Sequence, residues 1–125
     1  MAFTFPNKKI VKGVYTVYFN LEERKTIECG ALGEINFEPG TYVYVGSAMN
    51  SLESRIHRHY HNQGNKHWHI DYFSEEAEPE STFFVFTEDS SLECFLADFF
   101  AEEAEIVESF GASDCGCSSH LFRLL

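Results

Sequence analysis

Residues 41–60, TYVYVGSAMNSLESRIHRHY, constrain the chain more than any other stretch, because a strand periodicity gives way there to a helical one. Tyr42 and Tyr44 alternate with Val43 and Val45, the period-2 pattern of a paired strand. Gly46 is expected to end that strand, with a backbone that can turn sharply or admit a ligand closely. Asn50 then stands as a helix cap, with Glu53 three residues on in the capping-box place. In the helix Leu52, Ile56 and Tyr60 fall on one stripe, while Arg55 and His59 sit four apart along its edge. A tyrosine leaving the strand is thereby aimed towards an arginine and a histidine, an arrangement suited to phosphate chemistry.

The rest of the chain supplies partners for this unit. Residues 1–12, with Pro6 and three lysines, form an irregular lead-in. Gly13–Asn20, GVYTVYFN, is β-branched and aromatic in the manner of a central strand, with Tyr15, Val17 and Phe19 on one face. Glu22-Glu23-Arg24 makes a polar turn, and Lys25–Ala31 is expected to return beside it as a hairpin. Gly33–Gly40 is a loop with Pro39-Gly40 as its turn signal. His67–Phe73 fits either a strand or a helix. Glu75–Glu80 is an acidic loop, and Thr82–Thr87 is a short apolar strand. A second clear helix begins at Ser90 or Ser91, with Leu92, Phe95, Leu96, Phe99 and Phe100 as its core stripe. The expected fold is one α+β domain over residues 1–125: a small mixed or antiparallel three-stranded sheet, flanking helices and a Cys/His tail over 105–125.

Length and composition exclude several classes. A chain of 125 residues buries an ordinary core without staples. Four irregularly spaced cysteines do not make a disulfide scaffold and read as thiols or metal ligands. No basic start precedes an apolar run, and no apolar stretch approaches spanning length, so a soluble cytoplasmic protein without membrane attachment is expected. The net charge of -11 argues against general affinity for nucleic acid. That charge is uneven: residues 1–70 carry eight Lys and Arg against six Asp and Glu, whereas residues 71–125 carry one against fourteen. An anionic ligand should meet the first half.

Gly13-Val14-Tyr15, Tyr44-Val45-Gly46 and Arg55 on the following helix together resemble the GIY-YIG nuclease superfamily. His59 lies one turn after Arg55, and Glu93 has the spacing of that superfamily's metal-binding glutamate. YVGSA, RHY, HWHIDY, LEC and FGASDCGCSSHLF, in that order, are similar to the small Uri-type branch, some of whose members are fused to endonuclease III. The resemblance implies a metal-dependent endonuclease acting on DNA or RNA, a place in DNA repair, and Mg²⁺ or Mn²⁺ as cofactor. Many active members carry an asparagine after the glutamate; here none follows Asn65.

Each residue has a chemical reason to serve and an ordinary alternative. Arg55 offers a planar, permanently charged fork for phosphate oxygens, or a surface pair with Glu53. Tyr15 and Tyr44 would align or deprotonate water, or simply pack across a sheet. A phenol must fall roughly 3 units from about 10 to act as a base at neutral pH, worth about 4 kcal/mol, and Arg55 and a metal have the right sign. His59 could accept the proton directly. Glu93 completes Ser90-x-x-Glu93, a capping box, yet one carboxylate with waters and phosphate oxygens can also hold Mg²⁺. His67, His69 and Asp71 would align on a strand, whereas on a helix His67 and Asp71 would lie one turn apart. Cys115-x-Cys117-x-x-His120 offers ligands for Zn²⁺, or a tight loop braced by Asp114 and His120. The segments holding Gly46, Ser47, His67, His69, Asp71, Ser113, Asp114, Cys115, Cys117 and His120 are expected to shape a substrate site.

Three functions follow. The first is the nuclease. The second is a catalytically inactive module binding nucleic acid or a repair protein, favoured by the acidic second half and the missing asparagine. The third is a small zinc-binding structural or regulatory protein.

Overall fold

Both faces of the Gly13–Leu21 strand are mostly apolar, and the molecule is layered accordingly. The computed structural model describes residues 12–61, 66, 68–111 and 117–125. In chain order these form β1 (Gly13–Leu21), β2 (Lys25–Glu28), β3 (Glu34–Phe37), β4 (Gly40–Ala48), α1 (Leu52–Tyr60), α2 (His69–Ser74), β5 (Glu78–Phe86), α3 (Ser91–Glu103), β6 (Glu105–Ile106) and β7 (Leu121–Arg123). The class is α+β, as expected. The main sheet is antiparallel, with the order β5-β1-β4-β7-β6, so it has five strands instead of three. Two short strands of the tail supply the difference.

Alternation along β1 and β4 builds the two layers. Tyr15, Val17, Phe19 and Tyr42 pack on one face against Leu52 and Ile56 of α1 and Ile70 and Phe73 of α2. Val43 and Val45 pack on the other with Phe122 of β7 and with Leu96, Ala97 and Phe100 of α3. β1 lies between β5 and β4 and is buried on both sides along most of its length, with Tyr18 and Asn20 half-buried, as its mostly apolar sequence dictates.

Several expectations needed correction. Lys25–Ala31 does not return beside β1; β2 pairs with β3 across the 3-10 turn Gly30–Leu32, and the loop expected over 33–40 holds that second strand. Gly30 and Gly33 adopt φ of 57° and 74°, values that side chains resist, and these glycines set the tight hairpin. β5 extends back through Pro79 into the expected acidic loop. It lies at the edge of the sheet, where a missing N–H is tolerated, and its register against β1 shifts between Tyr18 and Phe19. Residues 69–74 of the ambiguous segment are helical.

On α3 the apolar stripe is wider than the core it covers. Only Ala97 is fully buried, while Phe95 is 67% exposed and Phe99 52%. No described helix is long and apolar enough to cross a membrane.

Candidate active site at the end of β4

Gly46 does not end its strand, which runs on to Ala48. Its role is steric. A Cβ on Gly46 would lie 2.6 Å from the ring carbon and the hydroxyl of Tyr15, its neighbour across the β1–β4 pair. The bare backbone thus lets the Tyr15 ring lie flat on β4 and places its hydroxyl 2.7 Å from His59 Nε2. Gly46→Ala is expected to push Tyr15 off His59 and to destabilise the fold by about 1–3 kcal/mol, as overpacking does. Thermal unfolding would register this as a lowered Tm, and an unchanged Tm would mean that Tyr15 has room to move.

Helix α1 brings its polar groups to the same place. Its cap is Ser51, whose Oγ accepts from the Ser54 N–H at 3.3 Å; Asn50, the expected cap, lies one residue too early. With that start Leu52, Ile56 and His59 all face the sheet, so His59 is buried and not at the helix edge. Arg55, half-buried, donates from Nη1 to the Ser47 carbonyl at 3.1 Å. The Ser47 hydroxyl donates to Glu93 Oε1 at 2.7 Å. Ser47 therefore joins Arg55, from one face of the sheet, to Glu93, from the other.

Glu93 does not act as a cap. Ser90 has helical dihedrals and makes no side-chain capping bond; Asp89 accepts from the Ser91 N–H instead, at 3.0 Å. That frees Glu93 to turn towards Ser47 and His120. His120 Nδ1 lies 3.3 Å from Glu93 Oε2 and 3.1 Å from the Val45 carbonyl. Both neighbours are acceptors, so Nδ1 is the nitrogen that carries the proton. Oε1 accepts from Ser47 while Oε2 only lies beside the His120 ring, so the carboxylate retains lone pairs for a further ligand.

Burial sets the protonation of the inner groups. It raises the Tyr15 phenol well above its ordinary value, and the nearby charge of Arg55 only partly opposes this. Tyr44, whose ring lies 5.4 Å from that of His59, is raised as well, by burial and then by Glu93. Burial lowers His59 to about 4, although Asp71 pulls the other way. Arg55 lowers both tyrosines, as its charge requires, but desolvation outweighs the guanidinium, so Arg55 alone does not bring a phenol towards neutrality. At neutral pH the Tyr15–His59 pair is a phenol and a neutral imidazole. His59 Nδ1 is buried without a hydrogen-bond partner among the described residues.

Trp68 and Arg58 brace the site; both lie in segments that carry the resemblance, HWHIDY and RHY, but neither is among the expected site residues. The guanidinium carbons of Arg55 and Arg58 stand 4.4 and 4.7 Å from the centre of the Trp68 ring. Arg58 also makes a two-point pair with the buried Asp71, at 2.8 and 3.3 Å, and Asp71 accepts from the Trp68 N–H at 2.9 Å. Asp71 therefore holds the platform on which Arg55 lies. The visible hint was the chain's single tryptophan, set between two histidines. His69 Nδ1 accepts from the Gly111 N–H at 3.1 Å, away from Asp71 on the short helix. Cys117 lies beside Cys94. His67, Ser113, Asp114 and Cys115 are outside the described residues.

Fold and cluster together define a small α+β domain whose polar site joins the two faces of one antiparallel sheet. The family described as Domain of unknown function DUF123 matches residues 14–125, and the chain belongs to that family. No curated protein and no solved structure matches the chain.

Proposed function

We propose that the chain is a metal-dependent phosphodiesterase acting on nucleic acid, of the GIY-YIG type and its Uri-type branch. The observation that carries this reading is the path Arg55–Ser47–Glu93, which sets a phosphate-binding cation and a carboxylate on opposite sides of one residue. Arg55 would hold a phosphodiester oxygen through its planar fork. Glu93 fits Mg²⁺ or Mn²⁺ because its oxygens are hard donors and a single carboxylate leaves the other positions to water and phosphate. Such an ion supplies charge neutralisation and a more acidic water. Tyr15 and His59, uncharged at neutral pH, would orient that water through a hydrogen bond and hold its proton only once a substrate or ion changes the local charge. Zn²⁺ is a poorer fit among the described residues, since His69 accepts through Nδ1, which places its proton on Nε2, and Asp71 is tied to Arg58.

One observation favours the second reading, a module that binds nucleic acid or a repair protein without cutting. The pKa values of Tyr15 and His59 are both moved away from the range in which a general base works. The two readings part in one assay: branched, single-stranded and duplex DNA and RNA with Mg²⁺ or Mn²⁺, wild type beside Arg55→Ala and Glu93→Gln. The nuclease reading expects wild-type cleavage that falls about a hundredfold or more in each variant. Salt-sensitive binding lost in Arg55→Ala, with no cleavage by a folded wild type, would replace it with the binding module.

A further inference from the structure

Outside the polar site, two thiols from distant parts of the chain are brought together. The Sγ atoms of Cys94, in the first turns of α3, and Cys117, before β7, lie 2.7 Å apart across a separation of 23 residues. Unbonded heavy atoms rest at about 3.5–4.0 Å, and a sulfur–sulfur bond closes to about 2.0 Å. The two sulfurs stand between ordinary contact and bond length. Both side chains are half-buried, so a small reagent can reach them, whereas Cys29 is fully enclosed. Burial also raises the Cys29 thiol to about 11, which leaves it inert.

We infer that Cys94 and Cys117 form a cross-linking site, in which a low-molecular-weight disulfide oxidises the two thiols to an intramolecular disulfide. The thiolate of Cys117 attacks one sulfur of the small disulfide, forming a mixed disulfide and releasing one small thiol. The thiolate of Cys94 then attacks the Cys117 sulfur and releases the second. Two electrons pass from the protein to the small disulfide, and the two protons end on the released thiols. Cys94 follows Glu93 directly, and Cys117 stands three residues before His120. The bond would fasten the turn that carries Glu93 to the loop that carries its partner His120. This inference does not depend on the nuclease reading.

The test uses purified full-length protein, reduced with dithiothreitol and then exposed to oxidised glutathione. The expected product is lighter by two hydrogens, has two titratable thiols in place of four once denatured, and yields a Cys94–Cys117 linked peptide. Its Tm should rise on the order of 10 °C, because the link closes a loop of intermediate length in the unfolded chain, and dithiothreitol should reverse the rise. Cys94→Ser and Cys117→Ser should each show no such rise. The inference is overturned by a persistent glutathione adduct, by a link between Cys117 and Cys115, or by an oxidised product with an unchanged Tm. A stoichiometric metal ion retained by wild type and lost in both serine variants would overturn it too, by showing that the thiols are ligands.

Discussion

Replacing Phe73 by alanine is expected to remove about 3–5 kcal/mol of stability, the usual cost of truncating a wholly buried aromatic side chain. Phe73 is fully enclosed, and its ring meets Phe19 edge-on at 5.5 Å and both Phe37 and Tyr42 at 5.0 Å. Those partners come from β1, β3 and β4, so one side chain ties α2 and the two-stranded sheet to the main sheet. A domain of ordinary stability has about 5–15 kcal/mol in total, so this loss takes a large share of it. Phe73→Leu keeps most of the volume and should recover most of the loss. Equilibrium urea unfolding gives both values. A Phe73→Ala variant within 1 kcal/mol of wild type, on the scale set by core truncations, would show that the aromatic cluster collapses freely around the gap.

Stability should also fall as the pH drops from 6.5 to 4, by about 3 kcal/mol through His59 alone. Above 6.5 the imidazole is neutral in both the folded and the unfolded chain and adds no pH dependence. Between 6.5 and about 4 the unfolded chain takes up a proton that the folded protein refuses, so acid favours unfolding. Below about 4 the folded form is protonated as well and the loss levels off. Arg55 and Arg58 on the same helix reinforce the refusal, Asp71 on α2 opposes it, and Tyr15 and Tyr44 face the ring uncharged. His59→Gln has no such group, so the difference between its stabilities at pH 7 and 4 should shrink by the same amount. Equal acid sensitivity in wild type and variant would place the titrating group elsewhere.

The elements that the sequence shows best are those with long, clean periodicity. The tyrosine–valine alternation of β4, the apolar strand β1 and the helix over Leu52–Tyr60 follow from local pattern alone. Register and partners do not. Lys25–Ala31 has the composition of a β1 partner, yet the φ of Gly30 and Gly33 turns it onto residues 34–37. Ser51 and Asn50 are both good caps, and only packing of Leu52 against the sheet chooses between them. Phe95 and Phe99 satisfy a helical stripe yet stay exposed, because it is Leu96, Ala97 and Phe100 that face the sheet.

In the site, the residues were legible and their protonation was not. Spacing and resemblance picked out Tyr15, Tyr44, Arg55, His59 and Glu93, which gather around Ser47 and Gly46. Desolvation depends on three dimensions: it raises Tyr15 against the pull of Arg55, and it takes His59 below the near-neutral range of a free imidazole. Trp68 was missed for a related reason: its contacts with two guanidiniums exist only once α1 and α2 lie side by side.

The two halves of the site are not held equally. Arg55 rides on a helix anchored by the fully buried Leu52 and Ile56, while Glu93 rides on one whose only fully buried residue is Ala97. Lifting α3 away would uncover Val43, Val45 and Phe122 but leave the α1 face of the sheet packed, so it would be a partial opening distinct from global unfolding. In such an opening Tyr15, His59 and Arg55 stay in register on the sheet, and Glu93 departs with its helix. The molecule then carries an anion-binding half-site without its carboxylate. Whether the site is whole becomes a local equilibrium, separate from whether the chain is folded.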